Sequence, residues 1–500
     1  MRSPDGEDAA GSALRERLAE LDDLGSAVRL LAWDQQVTMP PAGAPARGEV
    51  LGTLERISHA HATDPALGAL LGELGADPEL PAADAALVRV ARRDHDHAVR
   101  VPEALVGEMA VASATGQQAW LAAREACDFA RFAPALERNV ALRRDLAACF
   151  PEAAHPYDPL LDVFEPDLTL ARLREVFGTL REGLVPLIAA IAERPRPAEL
   201  TGPFDPARQR ELGLELARAL GFEDEGWRLD DAVHPFALHI AASDARVTAR
   251  FDPGDLSGLF SVLHEMGHGL YEHQVDRALA RTTAGTGTSL GIHESQSRMW
   301  ENLVGRSRAF WVPYWPRMQG AFPAALGGLD LAAFHRAINV VRPSPIRTDA
   351  DEATYSLHVI LRMDLEVALV EGTLAVADVP AAWADGMRDL LGIEVTDPLE
   401  GPLQDPHWGF GEFGYFPTYA IGGIVASQLW EAIRHDLPDL DATLELGDTA
   451  PLREWLRDHV HRFGRTRTPA EVLRGATGHD LDPGPLLAHL RAKYGALYEL

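Results

Sequence analysis

The stretch L-S-G-L-F-S-V-L-H-E-M-G-H-G-L-Y-E-H-Q, Leu256 to Gln274, contains His264-Glu265-Met266-Gly267-His268. On a helix, positions i and i+4 lie about 40° apart around the axis, so His264 and His268 project side by side. Two imidazoles in that arrangement can hold one Zn²⁺, and Glu265 between them can act on a metal-activated water as general base. Val262, Leu263, Met266 and Leu270 recur at helical spacing, and no proline interrupts the run. The alternative is an ordinary helix carrying two histidines, so the surroundings must decide.

Immediately upstream the pattern changes. Between Ala232 and Phe251, Arg246, Thr248 and Arg250 alternate with Val247 and Phe251, and A-A-S-D (Ala241–Asp244) has turn chemistry. A small strand pair, as a β-hairpin or part of a small sheet, is expected beside the histidine helix. Such an edge can pair with an extended peptide through main-chain hydrogen bonds. Downstream, R-T-T-A-G-T-G-T-S (Arg281–Ser289) lacks the G-K-[ST] ending of a phosphate loop, which excludes nucleotide binding there. A second helix follows, expected over Leu290–Trp311.

Catalytic zinc takes three protein ligands and leaves one position open. The second helix supplies two contenders, His293 and Glu294. From Glu294, a helical wheel places Ser297, Arg298, Glu301 and Gly305 within about 60°, with Ile292, Met299, Trp300 and Leu303 elsewhere. That polar or small face suits a wet cleft. His293 points about 100° away from it. Glu294 is the preferred third ligand.

The rest of the chain is helical in character. Expected helices run from Ser12 to Trp33 (with a stripe of Leu14, Leu18, Leu21, Leu24, Val28 and Leu31), over 47–62 and 82–99, and as long helices within 102–147. Others cover 168–191, 206–221, 349–371 and much of the chain from Pro417 onward, with 392–415 rich in loops. No repeat and no linker marks a boundary, so residues 1–500 read as one mainly helical, all-α domain. A cleft between two lobes is expected.

Composition narrows the function. With 46% hydrophobic residues the chain can bury a large core, and its formal charge of −29 disfavours nucleic acid or anionic membrane as a partner. Lys493 is the only lysine; that bias suggests genome composition and carries no mechanism. Cys127 and Cys149 form neither a C-x-x-C motif nor a framework, which fits a reducing cytosol. The acidic start M-R-S-P-D-G-E-D lacks the features of a signal peptide, and no apolar run approaches the ~18 residues that would span a bilayer. A cytoplasmic protein is expected.

Taken together, the motifs resemble those of the carboxypeptidase Taq family of zinc metallocarboxypeptidases. The resemblance runs through H-P-F (His234–Phe236), D-A-R-V-T (Asp244–Thr248), H-E-M-G-H and H-E-S-Q (His293–Gln296). It continues through I-R-T-D-A-D (Ile346–Asp351), G-P-L-Q-D-P-H-W (Gly401–Trp408) and G-Y-F-P-T-Y (Gly414–Tyr419), and L-L-A-W-D-Q-Q-V-T-M-P-P-A-G near the N-terminus also fits. It implies an all-α, two-lobed peptidase with a deep central groove, usually a homodimer, that removes C-terminal residues from peptides with broad specificity. It also implies one metal per chain on His264, His268 and Glu294, with Glu265 as base. Zn²⁺ and Co²⁺ both accept this N₂O set.

Two further roles follow from that reading. A developing oxyanion needs donors besides the metal, and His407 and Tyr419 are expected there by analogy with related two-lobed zinc peptidases, with Tyr415 as reserve. An exopeptidase must also hold the terminal carboxylate, which a guanidinium can do with two parallel hydrogen bonds. Arg347 is the first candidate, Arg246 the second and His234 a supporting donor. The opposing expectation is that Arg347 pairs with Asp349 or Asp351, and Arg246 with Asp244. The rival functions are a zinc oligopeptidase cutting internal bonds and a helical scaffold that keeps zinc for structure alone.

Overall fold

The computed structural model describes residues 9–500; the acidic run at 1–8, on which the signal-peptide expectation rests, lies outside the described residues. Helices α1 (Ala9–Val37) and α2 (Ala44–Ala62) form a hairpin that breaks at the Met39–Pro41 proline pair, as expected. A helix absent from the sequence expectations, α3 (Pro65–Gly75), follows; the Asp64 side chain accepts from the Ala66 N–H and caps it. Leu14 and Leu18 of α1 close a small core with Leu67, Leu71 and Leu74 of α3 and with Leu87 and Val88 of α4 (Ala82–Arg100). The later part of the expected stripe on α1, Leu21 to Leu31, is only half-buried. That part of the helix crosses the sheet, where Ser26 Oγ donates to the Ile240 carbonyl at 2.7 Å.

Helices α5 (Glu103–Glu125) and α6 (Ala133–Ala148) fill the next expected stretch, divided by a turn in which Cys127 has a φ of 50°. Then come α7 (Leu170–Ala192) and α8 (Pro206–Ala219). The expected small β element is a three-stranded sheet that contains the hairpin, ordered β1 (Trp227–Asp231), β3 (Asp244–Ala249), β2 (Ala237–Ala241). β2 and β3 form the antiparallel hairpin; β1 adds in parallel on the other side of β3. The acidic W-R-L-D-D of β1 has no strong strand signature, and its pairing is non-local.

The motif helix is α9 (Ser257–His273), and Val262, Leu263, Met266 and Leu270 are all buried, as the apolar spacing requires. The expected helix over 290–311 is shorter and interrupted. It runs as α10 (Leu290–Arg298), passes into a π-helical stretch over Met299–Val304, and resumes as a single turn at Arg308–Trp311. The Gly305 N–H donates to the Trp300 carbonyl at 2.9 Å, an i→i+5 bond that widens the helix at this point. The helix expected to begin at Asp349 is α11 (Tyr355–Glu371). Its start is delayed because the Asp351 side chain accepts the N–H groups of Ala353 and Thr354 in a turn. The loop-rich 392–415 segment contains a short helix, His407–Phe410. Then α12 (Phe416–Asp436) and α13 (Gly484–Tyr498) complete the core. The molecule is mainly helical. Among the described residues, no helix is long and apolar enough to cross a membrane.

Candidate metal centre and active site

Two close approaches bring α10 to the motif helix. A Cβ on Gly267 would lie 2.5 Å from the Gln296 carbonyl oxygen and 2.6 Å from Ser297 Cα; one on Gly422 of α12 would lie 2.4 Å from Glu294 Cγ. Only hydrogen fits at either position, so α10 is held between α9 and α12 at backbone contact. The N-terminus of α10 is fixed by the buried Glu165, which accepts from Ser289 Oγ and the Gly291 N–H, both at 2.9 Å.

The result is a convergence of three side chains. His264 Nε2 and His268 Nε2 lie 3.7 and 3.4 Å from Glu294 Oε2, and all three residues offer ligand atoms within 4.8 Å of one another. Among the described residues this is the group able to hold a metal ion. Each histidine has its Nδ1 committed elsewhere, His264 to Glu301 at 2.8 Å and His268 to His293 at 2.7 Å. His293 therefore backs a candidate ligand and does not compete with Glu294. The polar face expected from the helical wheel is the support of Glu294: Ser297 Oγ donates to it at 3.1 Å and Arg298 Nε at 2.8 Å. Arg298 also meets Glu301 at 3.2 Å.

The electrostatics suit a cation. Burial would lower the His264 pKa, but the carboxylates of Glu294, Glu301 and Glu265 outweigh it and lift it to about 9. His268, for which burial wins, falls to about 4. Glu294 stays ionised against burial because Arg298 and the histidines face it. Burial pushes Glu265 up to about 7, and its Oε2 is buried without a hydrogen-bond partner. A buried carboxylate oxygen left unpaired is costly unless another ligand or solvent meets it. Metal-ligand chemistry and this orphaned atom fit the same group.

On the α12 side, His407 Nε2 and the Tyr419 hydroxyl are 3.2 Å apart, and Tyr415 packs against both rings. Burial lowers the His407 pKa to about 3, raises that of Tyr415 to about 12, and holds that of Tyr419 well above its ordinary value. All three are neutral hydrogen-bond donors near pH 7. Phe416 packs against His407 with the rings tilted and their centres 4.4 Å apart, so the G-Y-F-P-T-Y segment serves packing as well.

Arg246 meets the opposing expectation of a structural pair with Asp244, whereas Arg347 finds a partner that neither expectation named. Arg347 pairs with Asp405, not with Asp349 or Asp351: its NH2 nitrogen lies 2.8 Å from Oδ1, and NH1 donates to the Tyr355 hydroxyl at 2.8 Å. Its guanidinium lies 4.8 Å from the Tyr419 ring centre. Arg362, fully buried on α11, pairs with the same aspartate at 2.6 Å. Arg246 is held by Asp244 through two bonds of 2.8 and 2.9 Å and stacks on Trp33 at 4.3 Å. His234 is exposed in the loop between β1 and β2. Asp405, Arg362, Tyr355 and Arg298 are missed by the sequence reading. Arg298 carried a signal in its place on the Glu294 face, and Asp405 in its place within G-P-L-Q-D-P-H-W.

A cavity of about 260 Å³ opens beside the three-residue cluster, lined by β2, by Arg29 of α1, and by His268, Glu272 and His293.

A buried H-E-x-x-H helix, with a glutamate delivered by a second helix and neutral donors beside it, is the site of a metal-dependent peptide hydrolase. A model of the family described as carboxypeptidase Taq (M32) metallopeptidase matches residues 13–494, and the chain belongs to that family. It is similar to carboxypeptidase 1 of Bacillus subtilis, 37% identical over 97% of each chain. It also resembles thermostable carboxypeptidase 1 of Thermus thermophilus, 39% identical over 98% of this chain and 99% of that one. The crystal structure of the M32 carboxypeptidase from Deinococcus radiodurans R1 superposes with a TM-score of 0.96 at 40% identity, covering 99% and 100% of the two chains. The chain is accordingly a metal-dependent carboxypeptidase, and neither the oligopeptidase nor the inert-scaffold reading is favoured.

Proposed function

We propose that His264, His268 and Glu294 hold one Zn²⁺ per chain, with Co²⁺ an acceptable substitute, and that Glu265 is the general base. The observation that carries this reading is the convergence of three ligand atoms beside an unpartnered, buried Glu265 oxygen. Bound there, a divalent ion supplies Lewis acidity toward the scissile carbonyl and acidifies water. Glu265 Oε2 takes the proton from the attacking water and returns it to the leaving amine. His407 and Tyr419 donate to the oxygen on which charge develops, with Tyr415 supporting Tyr419.

Arg347 takes the substrate's terminal carboxylate. Its support is a charge imbalance: Arg347 and Arg362 both pair with Asp405, leaving one positive charge uncompensated beside the Tyr419–His407 pair. An arriving carboxylate would neutralise it. Arg246, committed to Asp244, ranks second, and the exposed His234 is a more distant helper. We assign one catalytic unit to residues 1–500, a broad preference for peptides with free C-termini, a cytoplasmic location from the cysteine usage, and a homodimer from the family resemblance.

The test compares a defined peptide with its C-terminally amidated form, each with and without chelator. The free acid should lose residues one at a time from its C-terminus, the amide should be cut at least about 100-fold more slowly, and chelator should stop both. Equal cleavage of acid and amide would refute the clamp and the exopeptidase reading together.

A further inference from the structure

His264 and His268 turn the same nitrogen, Nε2, toward Glu294, yet their other nitrogens meet different partners. His264 Nδ1 faces a carboxylate, Glu301, whose charge is shared with Arg298 at 3.2 Å and Arg306 at 3.5 Å. His268 Nδ1 faces a second imidazole, Nδ1 of His293, at 2.7 Å. His293 Nε2 in turn lies 2.8 Å from Glu272 Oε1, which also accepts the Gly287 N–H at 2.9 Å. The His293 ring is packed against Tyr271, with centroids 5.1 Å apart.

We infer that His293 and Glu272 are positioning residues that fix the proton arrangement of His268 and thereby set the metal affinity of the site. The inference rests on His268 being a ligand through Nε2. A ligating Nε2 carries no proton, so the proton of the neutral ring sits on Nδ1. That N–H must be donated to His293 Nδ1, which is then an acceptor. His293 keeps its own proton on Nε2 and donates it to Glu272, whose ionised carboxylate can only accept. In the opposite arrangement His293 donates from Nδ1, which forces the His268 proton onto Nε2 and closes that nitrogen to a metal. It also leaves the bare Nε2 of His293 facing the Glu272 carboxylate. Glu272 therefore selects the competent arrangement from two bonds away. The same chain orients the His268 ring, as carboxylate–histidine supports do at metal sites.

The test measures Zn²⁺ dissociation constants by competition with a chromophoric chelator, together with the melting temperature of the metal-free protein and the visible spectrum of the Co²⁺ form. His293→Leu removes the acceptor and should weaken Zn²⁺ binding about 10–100-fold and alter the Co²⁺ bands. His293→Gln keeps an acceptor oxygen for His268 Nδ1–H and should recover most of that loss. Glu272→Gln should weaken binding in the same direction by less. Unchanged affinity in His293→Leu would overturn the inference. So would equal losses in His293→Leu and His293→Gln accompanied by equal falls in metal-free melting temperature, which is the signature of a packing role. His268→Ala separates the two levels: if it too keeps native affinity, the ligand assignment itself fails.

Discussion

At the scale of residues, the proposed roles separate holding the metal from doing the chemistry. Glu265 sits between two candidate ligands yet is bonded to neither, and its Oε2 has no partner. Glu265→Gln should keep full metal content while lowering kcat by about 10²–10⁴, the span of a lost general base; elemental analysis and steady-state kinetics on one peptide check both halves. Arg347 makes a second residue-scale prediction. Arg347→Met should raise KM for the free-acid peptide and shrink the preference for acid over amide by about 10-fold or more. An unchanged acid-to-amide ratio would move the clamp to Arg246. The convergence of the three candidate metal ligands was legible in the sequence because helical periodicity fixes which side chains share a face. Asp405 was not legible as the partner of Arg347 and Arg362. It lies 58 positions from Arg347 along the chain, and nothing local to either arginine prefers it over Asp349 or Asp351.

At the scale of elements, the site depends on how closely three helices approach. The helical content and the motif helix follow from spacing, and α9 buries the face its apolar residues predict. The depth of the α9–α10–α12 contact follows from Gly267 and Gly422, and a glycine's neighbours cannot be read from its position in a motif. Gly267→Ala would drive a methyl group into the α10 backbone at Gln296 and Ser297. It should cost about 1–3 kcal/mol of stability, read by denaturant unfolding. Because the displaced helix carries Glu294, it should also weaken metal binding. Native affinity in a stably folded Gly267→Ala protein would show that α10 is not held by this contact. The π-helical stretch at Met299–Val304 was equally hidden. Its i→i+5 bond has no composition signature, yet Glu301, the partner of His264, stands within it.

At the scale of the whole molecule, a buried carboxylate ties the loop that carries His407 to the core. Glu366 of α11 accepts from the Tyr157 hydroxyl at 2.6 Å, Trp408 Nε1 at 2.8 Å and the Gly414 N–H at 2.9 Å, and so pins both ends of the segment between His407 and Tyr415. Burial pushes its pKa from an ordinary 4.5 to about 7. Between these values the folded protein keeps a proton that the unfolded chain has lost. Stability from this group is therefore highest below pH 4.5 and falls as pH rises toward 7, by up to about 3 kcal/mol. Glu366→Gln should flatten that part of the stability profile, measured by unfolding midpoints across the window; an unchanged slope would show that Glu366 is ionised throughout.

The claim on which the rest stands is that His264, His268 and Glu294 together hold the metal. The most direct measurement is elemental analysis of the native protein, Glu265→Gln and Glu294→Ala after identical loading and desalting. About one Zn²⁺ per chain is expected for the first two, in keeping with a three-ligand site, and essentially none for the third, with all three proteins folded. Full metal content in Glu294→Ala would contradict the account.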